Sequence, residues 1–202
     1  MMKNFYRILL TFFFILAVQK GNSMNADQST AIFAGGCFWC MESDFAKVPG
    51  VINVVSGYTG GTVKEPKYRD VSAGGTGHYE SVKIEFDPNK INYSQLLEIF
   101  WHNIDPFDDQ GQFCDKGSSY RAAIFYLDET QMLQAIESRK SIEGQLGQGV
   151  VIQVLPASEF YKAETYHQDY AKKNPLRYGL YRWNCGRDAR LKQIWEQKNK
   201  AP

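Results

Sequence analysis

The apolar run Thr30 to Ala34 ends in Gly35-Gly36-Cys37, and the residues after it change period. Phe38, Met41 and Phe45 recur at i, i+3 and i+7, which is helical spacing. A strand that passes through two glycines into a helix leaves few ways to arrange the chain around it. Glycine permits the tight turn and a close backbone approach. Cys37 then stands at a helix N-terminus, where unpaired N–H groups and the positive dipole end favour an anion. A thiol held there is expected to ionise below its ordinary value and to react as the thiolate. The competing reading is a small buried hydrophobe, a common fate of free cysteine.

The N-terminal segment has a different character. Lys3 and Arg7 precede an apolar run from Ile8 to Val18, and Gly21-Asn22-Ser23 offers small residues for cleavage. The run is shorter than the roughly 20 residues of a membrane span. Residues 1–23 therefore read as a signal peptide, with an uncleaved anchor as the alternative. Export to the periplasm or beyond is expected, into an oxidising compartment. Residues 24–202 read as a single domain. Apolar residues make up 44% of the chain and the net charge is +1, so a core is available and no nucleic-acid partner is called for. Four cysteines in 202 residues are too few for a disulfide scaffold and fit a redox, catalytic or metal role.

The pattern beyond the junction predicts strands at 30–34, 51–56, 79–86, 122–127 and 150–155. Helices are expected at 38–46, from Asn92 through Trp101, and from Asp128 to a stop at Gly147. Long loops are expected at 57–77 and 103–119, and an irregular arm with short helical pieces over 157–202. The order predicts an α+β, two-layer sandwich of ferredoxin-like (split β-α-β) character. Function concentrates on such loops. They carry Tyr58, Tyr68, His78, Glu80, Cys114, Asp115 and Tyr120, while the arm carries Glu164, His167, Tyr170 and Cys185. The glycines at 74–77 match neither a P-loop nor a dinucleotide fingerprint.

Six stretches in order resemble one family. They are Gly36-Cys37-Phe38-Trp39, Gly57-Tyr58-Thr59-Gly60-Gly61, Tyr68-Arg69-Asp70-Val71, Thr76-Gly77-His78-Tyr79-Glu80, Asp115 to Arg121, and Ala163 to Tyr170. Together they are similar to the A-type peptide-methionine (S)-S-oxide reductases. The resemblance implies reduction of methionine S-sulfoxide, free or in oxidised proteins. It implies no bound cofactor; no metal, an external thioredoxin-like reductant and a monomeric chain are expected alongside it. Cys37 would take the sulfoxide oxygen as a sulfenic acid. Glu80 would give the proton, Tyr68 and Tyr120 would hold the oxygen, and Asp115 would organise the hydrogen bonds. Phe38 and Trp39 would cup the S-methyl group. Read without the resemblance, Glu80 is equally a solvated strand-end carboxylate, and Phe38 and Trp39 are equally core.

A second thiol must resolve the sulfenic acid. Cys185 is the expected resolving cysteine, because the family often carries one on this arm. Cys40 and Cys114 stand where many members have glycine and asparagine, and either is an alternative. The order of disulfides stays open. Cys37-x-x-Cys40 also admits a thiol–disulfide oxidoreductase, and four cysteines admit a zinc-binding domain, though without ribbon spacing.

Overall fold

The computed structural model describes residues 29–196, so the signal peptide expected at 1–23 lies outside the described residues. The first half of the chain forms β1 (Ser29–Gly35), α1 (Phe38–Phe45), β2 (Val51–Thr59), α2 (Tyr68–Ala73), β3 (Tyr79–Phe86) and α3 (Tyr93–His102). The second half forms β4 (Gly111–Gln112), β5 (Asp115–Lys116), a 3-10 turn at Ser118–Tyr120, β6 (Ala122–Tyr126), α4 (Glu129–Leu146), β7 (Gln153–Pro156) and β8 (Tyr161–Lys162). Three helices close it: α5 (Tyr170–Lys173), α6 (Pro175–Asn184) and α7 (Arg187–Glu196).

Alternation along β1 sets the layers. Ala31 and Phe33 point into the main core, where they meet Met41 and Phe45 of α1 and Leu96 and Phe100 of α3. Ile32 and Ala34 point the other way, onto Ala123, Phe125 and Tyr79. Period-two side chains on a pleated strand require this division. The main sheet runs β7-β6-β1-β3-β2-β8, with β3 antiparallel to both β1 and β2. β1 and β2 therefore run the same way, with α1 as their crossover and β3 inserted between them. β6 is antiparallel to β1, and β7 is parallel to β6. The architecture is α+β, as the order of elements predicts.

Local chemistry accounts for the helix ends. Asn92 accepts from the Gln95 N–H at 2.9 Å, and the Gln95 side chain accepts from the Asn92 N–H at 2.9 Å, a closed capping box. Asp128 accepts from the Gln131 N–H at 2.8 Å, and Gly147 ends α4 in the left-handed region.

Two expectations are corrected. The stretch 57–77 is not one loop: β2 continues to Thr59 against β3, and Tyr68–Ala73 is helical. The arm has the expected helical pieces but is more regular than predicted. Its β8 pairs with β2, and α6 and α7 are each ten residues long. Gly57 makes the pairing feasible, because a Cβ there would lie 2.4 Å from the Phe160 ring. Beyond β8 the Gln168 side chain continues the edge, accepting from the Ser56 N–H at 3.1 Å and donating to its carbonyl at 2.9 Å. Smaller shifts occur at the last predicted strand, which begins at Gln153 and includes Pro156.

The junction that places Cys37 depends on Gly36. Its φ is +82°, and a Cβ would lie 2.6 Å from Gln112 Cβ, in the β4–β5 hairpin. Gly36→Ala is expected to destabilise the fold by about 1–3 kcal/mol, the usual cost of such backbone strain. Urea unfolding should show a lower midpoint at unchanged slope; an unchanged midpoint would contradict this.

Candidate active site

β1 delivers Cys37 to the first turn of α1, where the Cys40 and Met41 N–H groups donate to its carbonyl. β3 lies beside β1 and delivers Glu80 to the same end of the sheet. The Phe38 N–H at the helix start donates to Glu80 Oε2 at 3.0 Å. One of the free donors of α1 is thus satisfied by a carboxyl group from a neighbouring strand. The pocket above it has a volume of about 110 Å³ and is lined by Cys37, Phe38, Trp39, Tyr68, Glu80, Asp115, Tyr120 and Tyr181. Every catalytic and substrate-binding residue named from the sequence is in that lining. Tyr181 is the one addition.

Each wall has its own support. Phe38 is buried, and its ring lies 6.5 Å from that of Tyr68 and 5.9 Å from that of Tyr58. Trp39 stacks on Tyr170 with centroids 3.7 Å apart and donates its indole N–H to His167 Nδ1 at 3.0 Å. His167 is a structural partner, and burial holds its pKa below the ordinary value. Tyr68 and Tyr120 are half-buried and stand side by side in the pocket wall. Glu164 holds this side of the pocket, accepting from the Tyr68 N–H and the Tyr58 hydroxyl, each at 2.9 Å. Asp115 accepts from the Tyr181 hydroxyl at 2.5 Å.

Burial decides the protonation states. Glu80 is 2% exposed, and loss of solvent raises its pKa to about 8, against the smaller lowering by the Phe38 N–H. A carboxyl group so placed keeps its proton at neutral pH. The alternative of a solvated strand-end carboxylate is thereby removed. Burial also raises Tyr120 and Asp115.

Cys37 departs from expectation. Its thiol is pushed up, first by burial and then by the neighbouring Cys40 and Glu80. The lowered thiol is Cys40, drawn to about 7 by the hydrogen bond with Cys37 and by the charges of Arg187 and Arg182. The helix start does favour an anion, but the closed site puts the charge one turn further on, beside the arginines. Cys114 and Cys185 are joined in a disulfide with Cα atoms 4.9 Å apart. Cys37 and Cys40 are free and buried. Nothing in the spacing of residues 71 positions apart could announce that pairing. Tyr181 had a weak signal, since Tyr178, Tyr181 and Cys185 fall at i, i+3 and i+7 on one face of the α6 segment.

Comparison with known proteins places this geometry. The family model "Peptide methionine sulfoxide reductase" matches residues 29–199. A relative from Caulobacter vibrioides, peptide methionine sulfoxide reductase MsrA 2, is 55% identical over 167 residues, which are 82% of this chain and 85% of the relative. Methionine sulfoxide reductase A of Corynebacterium diphtheriae superposes with a TM-score of 0.71 at 31% identity, covering 74% of this chain and 76% of that one. Saccharomyces cerevisiae Mxr1 in complex with Trx2 superposes with a TM-score of 0.52 at 17% identity, covering 76% and 91%, a likeness of fold.

With Cys114–Cys185 left oxidised, the buried pair should gain one thiolate with a midpoint near 7. Ultraviolet absorbance of the thiolate measures it. Cys40→Ser should abolish the step; a first midpoint at the ordinary thiol value would contradict the assignment.

Proposed function

We propose how the pocket works from one premise: the chain belongs to the peptide methionine sulfoxide reductase family, A type. It is an oxidoreductase that uses thiols to reduce methionine sulfoxide to methionine. The sulfoxide sulfur is electrophilic, but its oxygen leaves poorly until protonated. The Cys37 thiol loses its proton as its sulfur attacks, and Glu80 donates one to the oxygen. The oxygen bonds to the Cys37 sulfur as the substrate S–O bond breaks and methionine departs; the released thiol proton restores Glu80. The oxygen stays on Cys37 as a sulfenic acid, so the cysteine sulfur loses the two electrons that the substrate gains. The observation that carries this reading is the buried Glu80 carboxyl in the same pocket as Cys37, raised to about 8. It is a proton donor matched to neutral pH.

The hydroxyls of Tyr68 and Tyr120 stabilise charge that develops on the oxygen. Phe38 and Trp39 receive the S-methyl group through apolar and sulfur–aromatic contacts. Asp115 fixes Tyr181 over Cys37. A tetrahedral sulfur then meets three different walls: a thiol, a hydroxyl pair and an aromatic face. Only one hand fits all three, so the pocket selects one epimer, and the family likeness makes that the S epimer. The small pocket admits the end of a methionine side chain, free or on an oxidised protein. A thioredoxin-like dithiol returns the enzyme to its thiol form, a reading that the yeast Mxr1–Trx2 complex and the exposed Cys114 support. The basic and apolar pattern of residues 1–23 supports export as the place of work.

Single-turnover reduction of a methionine sulfoxide peptide tests this reading, with each epimer supplied separately. The reduced enzyme should consume the S epimer alone, and Cys37→Ser should form no methionine. Glu80→Gln should slow the step by roughly 100- to 10,000-fold, the range for loss of a positioned acid. The wild-type rate should fall as pH rises through about 8, where Glu80 loses its proton. Full speed in Glu80→Gln, or consumption of the R epimer, would contradict the proposal.

A further inference from the structure

Resting on Cys37 as the atom that takes the oxygen, we propose that Cys40 is the thiol that resolves it, and that Cys114 and Cys185 form a second, outward pair from which an external dithiol withdraws the oxidation. The first observation is proximity. Cys37 and Cys40 lie within one helical turn, the Cys40 N–H donating to the Cys37 carbonyl at 3.1 Å, and share a buried cluster with Tyr170 and Tyr178. A sulfenic acid formed on Cys37 has that sulfur at hand with no segment to move. Residues at i and i+3 at a helix start lie within the span a disulfide bridges. Arg187 and Arg182 hold the Cys40 thiolate available. In this oxidised state Cys185 is paired outward with Cys114.

The second observation is the path outward. Tyr181 lines the pocket with Cys37 and donates to Asp115 Oδ2, and Cys185 Sγ lies 4.0 Å from the same oxygen. The two pairs therefore flank one carboxyl group. Arg187 holds the outer pair to the inner one. Its guanidinium covers the Phe113 ring at 4.6 Å, beside Cys114, and donates to Gly35 O and Met41 Sδ. Gly186, at φ +70°, is a pivot next to Cys185. Of the four cysteines Cys114 alone is exposed.

The steps balance. The Cys40 thiolate attacks the Cys37 sulfenic sulfur, the S–S bond forms, and the hydroxyl leaves as water with one proton. A reduced Cys185 thiolate then attacks that disulfide, and Cys114 attacks Cys185, which leaves Cys37 and Cys40 as thiols and Cys114–Cys185 oxidised. An external dithiol attacks at Cys114, supplies two electrons and two protons, and becomes the disulfide.

The test uses the fully reduced chain with excess S-sulfoxide peptide and no reductant, quenched by alkylation over a time course and mapped by mass spectrometry. The first disulfide should be Cys37–Cys40, followed by Cys114–Cys185, with two methionines formed per chain. Cys40→Ser and Cys40→Ala should each prolong the Cys37 sulfenic acid, trapped by dimedone, at least tenfold. Cys185→Ser should halve the methionine yield and lose turnover on a thioredoxin-type dithiol. A Cys37–Cys185 disulfide trapped first, with Cys40 alkylated, would overturn the order, as would wild-type resolution in the Cys40 variants. A burst without methionine would instead defeat the reading of Cys37 itself, and this order with it.

Discussion

The hydrogen bond from the Phe38 N–H to the buried Glu80 carboxyl joins the helix start to the sheet, and the site is built on it. It satisfies a backbone donor that would otherwise be orphaned under the arm. It also keeps a carboxyl group where its charged form is poorly solvated. The same contact fixes the distance between a proton source and the sulfur of the preceding residue. A helix N-terminus would ordinarily favour an anion. Here burial wins over that dipole for Glu80, because among the described residues no cation pairs with the carboxyl and the Phe38 N–H is its one compensating donor.

Closure by the arm is what makes burial possible. Arg182 pairs with Asp44 of α1 at 2.8 Å and with Asp188 at 2.6 Å, so α6 is held against the helix that carries the thiols. Arg190 pairs with Asp105 at 2.7 Å. Arg187 is 1% exposed and donates to the backbone carbonyls of Gly35 and Asn103. Exposed ion pairs contribute little, and Asp188 is exposed, but Arg182–Asp44 is largely covered and doubly hydrogen-bonded. The placement of these charges also sets the electrostatics of the inner thiols, since two of the three arginines lower the Cys40 pKa. One set of contacts thus seats the arm and decides which thiol carries charge.

Local chemistry made some features legible in the sequence and hid others. The Gly36-Cys37 junction, the Asn92–Gln95 box and the Gly147 stop depend on residues within a few positions, and each stands as read. Helix α2 was hidden because its first N–H is capped by Glu164, 96 positions away. The end of β2 was hidden because β3 and β8 complete it from a distance. The family resemblance brought the site residues together, while periodicity alone left Glu80 and Phe38 undecided. The height of the Cys37 pKa was out of reach for a further reason. Helix position can be read from spacing, but desolvation depends on which segment covers the site, and that is decided by the arm.

The central claim is that a carboxyl group at position 80 holds its proton at neutral pH beside a nucleophilic sulfur. Carbon-13 NMR of the reduced protein, labelled at glutamate carboxyls and assigned with Glu80→Gln, follows that proton directly. The account predicts a Glu80 titration centred near 8. A midpoint at the ordinary value for a glutamate in water would contradict it.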